Sequence, residues 1–428
     1  MPNVSPLSRL RVTQYGPQNR NIFTQLLIKV LTLSRHLYKA SAIFVLNALI
    51  VFAAFELAAK SAIEISHVFS KPTKQLTAEG NPREKVSYYA SQNWAERYWH
   101  EFWLSRKVQY YPYVGWRRAP FKGETIEIDQ NGVRVTPDAD CRANSFKVFT
   151  FGASEMWGTG APNWETIPAY LQQGLEKLQQ RPVCVMNFAE AAYVSMQDVI
   201  MLLMQLRSGN VPDVVLFYNI GSDIYAAYQS GRAGVHQNLD RLAAKFDGPQ
   251  EPPRFADQFI DWLRRRSSYA LVYELIGKLS IANPQHEDPT PSKLVNYESM
   301  GIPVAPLSEA IVQHYLANDK IVSGLAQTYG FKYFFFLPPR IFRGNKPLTA
   351  EEQAMKYKAE TEAAFFKLYI AVYQILEREA SQDRHLYSMT HIFDHYDSLI
   401  WIDEVHVTPI GNQLIATSML DVIAEELR

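Results

Sequence analysis

From residue 147 onward the sequence alternates short apolar runs with amphipathic stretches, and this alternation restricts the chain to one broad architecture. The first run lies in KVFTFGASEMWGTG, residues 147–160. It is β-branched and aromatic, ends at Gly152, and breaks into a small-residue turn carrying Ser154. Residues 166–179 then set Ile167, Leu171, Leu175 and Leu178 on one helical face, with Pro168 in the first turn, where its missing N–H leaves no bond unmade. Residues 183–188 read as a second strand, 196–206 as an apolar helix and 211–218 as a third strand. A helix over 307–329 and a strand over 331–337 resume the pattern after a gap. Thr349 caps a long helix, with Glu352 placed for a capping box. A short last strand is expected at 399–402, and Thr408-Pro409 opens a closing helix. Strands separated by helices return in the same direction, so the prediction is a parallel sheet with helices on both faces.

The gap, residues 229–306, is richer in Gly, Pro and charge. It predicts one helix around 255–279 and a loop at 283–292. An insertion between strands at this place is expected over the active edge of the sheet, as a lid or substrate wall.

The amino-terminal part has a different character. Residues 1–55 contain no acidic side chain, while Arg9, Arg11, Arg20, Lys29, Arg35 and Lys39 supply positive charge. The run ASAIFVLNALIVFAAFELAA, residues 40–59, is interrupted only by Asn47 and Glu56, and twenty helical residues rise about 30 Å, enough to cross a hydrocarbon core. A membrane anchor over 40–60 is the reading favoured over a cleaved signal peptide or a buried core helix. The flanking charge sets residues 1–39 in the cytoplasm and the bulk of the chain outside. Residues 22–37 read as an interfacial amphipathic helix and 61–84 as a linker.

Residues 85–145 form an aromatic lead-in containing Tyr88, Tyr89, Trp94, Tyr98, Trp99, Phe102, Trp103, Tyr110, Tyr111, Tyr113 and Trp116. Rings at helical spacing are expected to be core, with a platform for sugar rings as the alternative. Residues 125–136 read as a hairpin turning at Asn131-Gly132, and the whole segment is expected to cover one edge of the main domain, 146–428. The two cysteines, Cys141 before the first strand and Cys184 in the second, are expected as separate buried thiols, with a disulfide between neighbouring strands as the second reading. Lysines and arginines balance acids at 43 each, so a nucleic-acid partner is set aside.

Chemistry concentrates at two places. Ser154 stands where the first strand ends, the edge at which open α/β sheets bind ligands, although a helix-capping serine is an equally ordinary use of that position. WIDEVHVTPIGN, residues 401–412, puts Asp403 and His406 three positions apart in a turn after the expected last strand. Acyl transfer needs a nucleophile, a base, and a group that fixes the base's tautomer, and Ser154, His406 and Asp403 supply one of each. Glu190 and Asp223 near the same edge read as solvated loop carboxylates. His391, Asp394, His395 and Asp397 suggest a metal, but Ile392 stands where a zinc-protease motif needs Glu, so no metal or other cofactor is expected.

In these two motifs the chain resembles the SGNH or GDSL hydrolase superfamily, in the form of anchored, exported bacterial members that often accompany envelope polysaccharide genes. The likeness runs from about residue 110 to the carboxyl terminus. It implies a three-layer α/β/α sandwich with a five-stranded parallel sheet, a Ser154, Asp403 and His406 triad, and hydrolysis of acyl esters, O-acetyl groups of an envelope or exported polysaccharide above all. It also implies an oxyanion hole from Ser154, Ala192 and Ser222. Ala192 and Ile220 stand where the family has glycine, and Ser222 where it has asparagine. Loss of one oxyanion donor costs about 10²- to 10³-fold in turnover, with Asn219 nearby as a substitute donor. An impaired polysaccharide-binding or assembly protein, or an acyltransferase using the same triad, are the competing readings. The expected topology has a direct check: a compartment-sensitive reporter fused after Lys60 is active only outside the cytoplasm, and cytoplasmic activity would reverse the orientation.

Overall fold

The computed structural model of the chain describes residues 17–69, 81–247, 266, 268, 295–381 and 385–426. The chain divides into two units, one of residues 1–73 and 250–287, the other of 74–249 and 288–428. In the first, Pro17–Phe69 is a single helix, and within it residues 25–61 are long and apolar enough to cross a membrane. The expected interfacial helix, anchor and first part of the linker are therefore one continuous element. No Pro or Gly occurs between residues 18 and 69 to interrupt it. The helix expected at 255–279 falls, but for Arg266 and Ser268, outside the described residues, and the loop at 283–292 does so entirely.

The second unit is built on five parallel strands: β1 (Phe146–Gly152), β2 (Val183–Asn187), β3 (Val214–Tyr218), β4 (Lys332–Leu337) and β5 (Leu386–Ser388). Their order is β2-β1-β3-β4-β5. Successive side chains point to opposite faces, and both faces are buried, so the strands read as continuous apolar runs. Val148, Val214, Leu216, Phe334 and Phe336 enter one core, together with the helices Ile167–Leu178 and Pro409–Glu426. Phe149, Phe151, Val215, Phe217 and Phe335 enter the other, with Ser195–Arg207, Val304–Tyr329 and Ala363–Ala380. Across three neighbouring strands Phe151, Phe217 and Phe335 share one register and stack with centroids 5.2 and 4.4 Å apart. This is the three-layer sandwich.

The fifth strand is not where the sequence pattern placed it. Residues 399–402 are apolar because Ile400, Trp401 and Ile402 plug the first core. Their amides bond elsewhere: Ile400 and Trp401 donate to Glu352 Oε1 at 2.9 and 3.1 Å, and Ile402 donates to the carbonyl of His406. The expected capping box is present, with Thr349 N donating to Glu352 Oε2 at 2.8 Å and Glu352 N to Thr349 Oγ1 at 3.2 Å. The helix it opens, Ala350–Thr361, breaks at Glu362 before Ala363–Ala380.

The lead-in covers the outer edge of β2. Arg134 bridges to Asn187, and Asp140 N donates to the Val183 carbonyl at 2.9 Å. That alignment sets Cys141 and Cys184 4.8 Å apart at Cα, and they form a disulfide rather than two separate thiols. The hairpin also differs: Glu127–Ile128 pairs with Phe121–Lys122, and only a single bridge, Ile128 to Arg134, spans the Asn131-Gly132 turn. The Asp129 carboxylate takes the amides of Asn131 and Val133, at 2.8 Å each, that a longer ladder would use. Of the lead-in aromatics, Tyr89, Tyr98, Trp99 and Phe102 are buried in edge-to-face contacts as core, whereas Tyr110 and Tyr113 are exposed.

Glu352 joins three segments, since Lys346 Nζ also reaches it at 2.8 Å, and it is fully buried. Burial alone would raise its pKa, but Lys346 and the three backbone amides hold it below the ordinary glutamate value. Its stabilising contribution is therefore complete above the unfolded value and lost as the pH falls through the lower folded one. Glu352→Ala is expected to cost about 3–5 kcal/mol in urea denaturation and to blunt the acid sensitivity of stability; a loss below about 1 kcal/mol would remove Glu352 from this role.

Candidate active site

Ser154 opens the short helix Ser154–Trp157 at the end of β1. Gly152, at φ +157°, makes the turn possible, because a Cβ there would lie 2.4 Å from the Tyr218 carbonyl oxygen on β3. The carbonyls beyond the turn have no ladder, and Arg134 gathers them. Its guanidinium donates to Trp157 O, Gly158 O, Ala161 O and Asn163 Oδ1 at 2.7–2.9 Å. Burial without a carboxylate partner pulls Arg134 down to about 10. Trp157 lies between two guanidinium groups, Arg118 at 3.6 Å and Arg134 at 4.2 Å from its ring.

His406 reaches the same place from the far end of the chain. The turn 402–406 is closed by Ile402 N to His406 O, and Asp403 Oδ1 accepts the amides of Val405 and His406 at 2.8 and 2.6 Å. His406 Nε2 then stands 2.7 Å from Ser154 Oγ, and His406 Nδ1 stands 2.8 and 3.0 Å from the two Asp403 oxygens. Burial works to raise the Asp403 carboxyl, but His406 and Arg83 overcome it and hold the group well below the usual range. A Ser-His-Asp series thus stands at the carboxyl rim of a β2-β1-β3-β4-β5 sheet, with the serine after β1 and the Asp-x-x-His turn before the last helix. The five-stranded parallel sheet between two helix layers is the architecture that the sequence resemblance implies.

No family model matches the chain, and no curated protein does. Solved structures with similarity to it include a member of the lipolytic protein G-D-S-L family from Veillonella parvula DSM 2008, at 10% identity over 64% of this chain and 97% of that one with TM-score 0.33. The lipase Lip_vut3 from a goat rumen metagenome matches at 12% identity over 65% and 97%, TM-score 0.33. The psychrotrophic esterase EstA from Pseudoalteromonas sp. matches at 14% over 66% and 99%, TM-score 0.30.

Ser154, Ala192, Ser222 and His406 line one cavity of about 500 Å³. Ala192 has φ +67°, the left-handed conformation that glycine adopts freely, so its backbone follows the glycine geometry in spite of the Cβ. The loop is clamped into that shape: Ala191 N donates to Glu190 Oε1 at 2.8 Å, Tyr193 N to Glu190 O at 3.2 Å, and Trp116 Nε1 to Ala191 O at 3.3 Å. Ile220 needs no glycine, since its φ of 180° lies outside the left-handed region and its side chain is buried in the second core. Asn219 is not a spare donor, because its Nδ2 is spent on Tyr193 O and Asp198 Oδ2, both at 2.9 Å.

Other candidates are placed differently from their expected roles. Glu190 and Asp223 are buried, not solvated. Glu190 accepts Arg118 N at 2.8 Å and pairs with its guanidinium at 3.4 Å. Asp223 accepts Ser195 N and Oγ at 3.0 and 2.6 Å, and burial lifts it to about 6 against those bonds. His391 pairs with Asp394 at 2.8 Å, and Asp394 also ties Asn345, while among the described residues no group of three His, Cys, Asp or Glu side chains is arranged to hold a metal ion.

Several arginines at the site escaped the sequence reading, Arg340, Arg134 and Arg83 among them. Arg340 is fully buried and reaches Glu155, next to the serine, at 2.5 Å, and Tyr369 Oη at 2.8 Å. Arg134 sits in the segment read as a simple hairpin, and Arg83, from the segment read as linker, donates its Nε to Asp403 Oδ2. Pairs separated by 185 and 320 residues leave no local pattern to find. The strain at Ala192 is testable. Ala192→Gly is expected to leave stability unchanged or raise it by up to about 1 kcal/mol, against the usual loss of about 0.5–1 kcal/mol for Ala to Gly, as read by denaturant melting. A larger loss would mean that the left-handed backbone is wrong.

Proposed function

We propose that the chain is a serine-type ester hydrolase working through an acyl-enzyme. The observation that carries this reading is the unbroken hydrogen-bonded series from Ser154 Oγ through His406 to Asp403 at the cavity wall. In the proposed reaction His406 Nε2 takes the serine proton as Oγ attacks the acyl carbonyl. The tetrahedral intermediate expels the alcohol, which takes that proton from His406. Water, deprotonated by His406, then attacks the acyl-enzyme, the acid leaves, and Ser154 Oγ recovers its proton. Asp403 stays ionised, fixing the tautomer and stabilising the imidazolium.

The N–H groups of Ser154 and Ala192 are the proposed oxyanion donors, with the Ser222 hydroxyl as the third. The left-handed backbone at Ala192 favours an active enzyme over an impaired binder, since the conformation that glycine serves in the family is retained at a cost of about 1–2 kcal/mol. The proposed substrate is an O-acyl ester, O-acetyl in the first place, of an envelope or exported polysaccharide. A cavity of about 500 Å³ lined by Trp103 and Tyr225 suits a small acyl group and the apolar face of a sugar. The proposed location is extracytoplasmic, anchored through the apolar part of the Pro17–Phe69 helix. The one-sided positive charge before it and the disulfide in the catalytic unit support that placement.

A fluorophosphonate probe tests the reaction class on the full chain. Wild-type protein is expected to label at one site, Ser154→Ala to lose labelling, and His406→Ala to slow it at least about 10³-fold. Absence of labelling at every pH would overturn the acyl-enzyme.

A further inference from the structure

We infer that Arg83 is a positioning residue for the Asp403 and His406 pair, one that sets the pH range over which the imidazole is free to take the serine proton. This rests on the acyl-enzyme reading for its consequence, though the contact itself does not. Asp403 Oδ1 takes the amides of Val405 and His406 and lies 3.0 Å from His406 Nδ1, while Oδ2, the nearer oxygen to Nδ1 at 2.8 Å, is shared with Arg83 Nε. The guanidinium therefore shares with the imidazole the carboxylate oxygen nearer to Nδ1. A carboxylate that neutralises two cations holds each less strongly than it would hold one.

Arg83 comes to this oxygen by design of its own segment. It lies on the short turn Pro82–Lys85, whose Asn81 side chain caps the Arg83 amide at 3.1 Å. Its side chain is 29% exposed and that of Asp403 13%, so the pair is partly withdrawn from water and only weakly screened by salt. Burial works against the charged guanidinium, yet Asp403, with Glu404 behind it, raises Arg83 above its ordinary value. Among the described residues the other titratable groups that face the pair are Glu404, whose carboxyl burial and Asp403 push up, and the phenols of Tyr89 and Tyr98, which desolvation keeps neutral; Arg106, Arg118, Glu155, Arg340 and Glu362 line the same cavity as His406. Arg83 is thus the cation that shares Asp403 with the imidazole.

Two effects follow. With Arg83 in place part of the Asp403 charge is already neutralised, so the carboxylate favours a cationic partner less than it would alone. The same contact pins the carboxylate, and through it the imidazole ring facing Ser154. Removing the guanidinium gives the whole of the Asp403 field to His406 and loosens the ring.

The experiment is the pH dependence of fluorophosphonate labelling of the full chain. In Arg83→Ala the acid limb is expected to move to higher pH by about one unit, with the plateau rate down about tenfold. Arg83→Lys, keeping the charge, is expected to hold the acid limb near its wild-type position. Equal slowing at every pH with an unmoved limb would overturn the inference and leave Arg83 a structural tie. If Arg83→Ala fails to fold, Arg83→Gln serves as the neutral variant of similar size. Following the His406 imidazole by NMR titration in a Ser154→Ala background gives an answer independent of turnover: its midpoint rises on loss of Arg83, or the inference fails. An unlabelled wild type would defeat the acyl-enzyme reading alone, because the imidazole titration still decides the case for Arg83.

Discussion

A single hydrogen bond, 2.7 Å from Ser154 Oγ to His406 Nε2, joins residues 252 positions apart, and much of the second unit serves to make it possible. A parallel sheet delivers the carboxyl end of every strand to one rim, which brings Ser154 to the rim from β1. His406 gets there by other means. It follows no strand of the main sheet, and its turn is held between the Ile400 to Ile402 plug and the closing helix Pro409–Glu426, which packs on Ile167–Leu178. Glu352 ties the plug from a third segment and an antiparallel bridge from Trp401 to Val407 closes the turn, so His406 is placed by burial, one carboxylate and that local bridge rather than by pairing with the five-stranded sheet.

The rim itself is irregular, and irregular backbone carries carbonyls and amides with no ladder to join. In this chain guanidinium groups meet much of that need. Arg134 holds the carbonyls after Ser154, and Arg117 holds Gly132 O and Phe188 O, each from a fully buried position. Arginine suits the task because its planar fork presents five donors in fixed directions. The lead-in, which sequence alone presents as an aromatic cover, is thereby part of the scaffold of the candidate site.

What was legible in the sequence follows the range of the forces involved. Strands β1 to β4, the Thr349 box and the Thr408-Pro409 start were readable because periodicity and caps act within a few residues. The Ser154, Asp403 and His406 set was readable from two short motifs and their order. The run at 399–402 misled because four buried apolar residues look alike whether they pair as a strand or fill a hole, and only the distant Glu352 distinguishes the two. The disulfide was undecidable from spacing, since it depends on the path of residues 134–141 along β2. Arg83 and Arg340 were invisible for the same reason.

The disulfide has a topological side. Cys141 and Cys184 close a ring of chain that contains β1, Ser154, the turn held by Arg134 and the helix Ile167–Leu178. With its ends 43 positions apart in sequence, closing that ring removes about 4 kcal/mol of freedom from the unfolded chain in the loop-entropy account. Ser154 therefore belongs to a covalent loop whose ends cannot drift apart. A protease cut at its exposed turn, residues 179–182, leaves the serine attached to the histidine's half of the molecule until the bond is reduced.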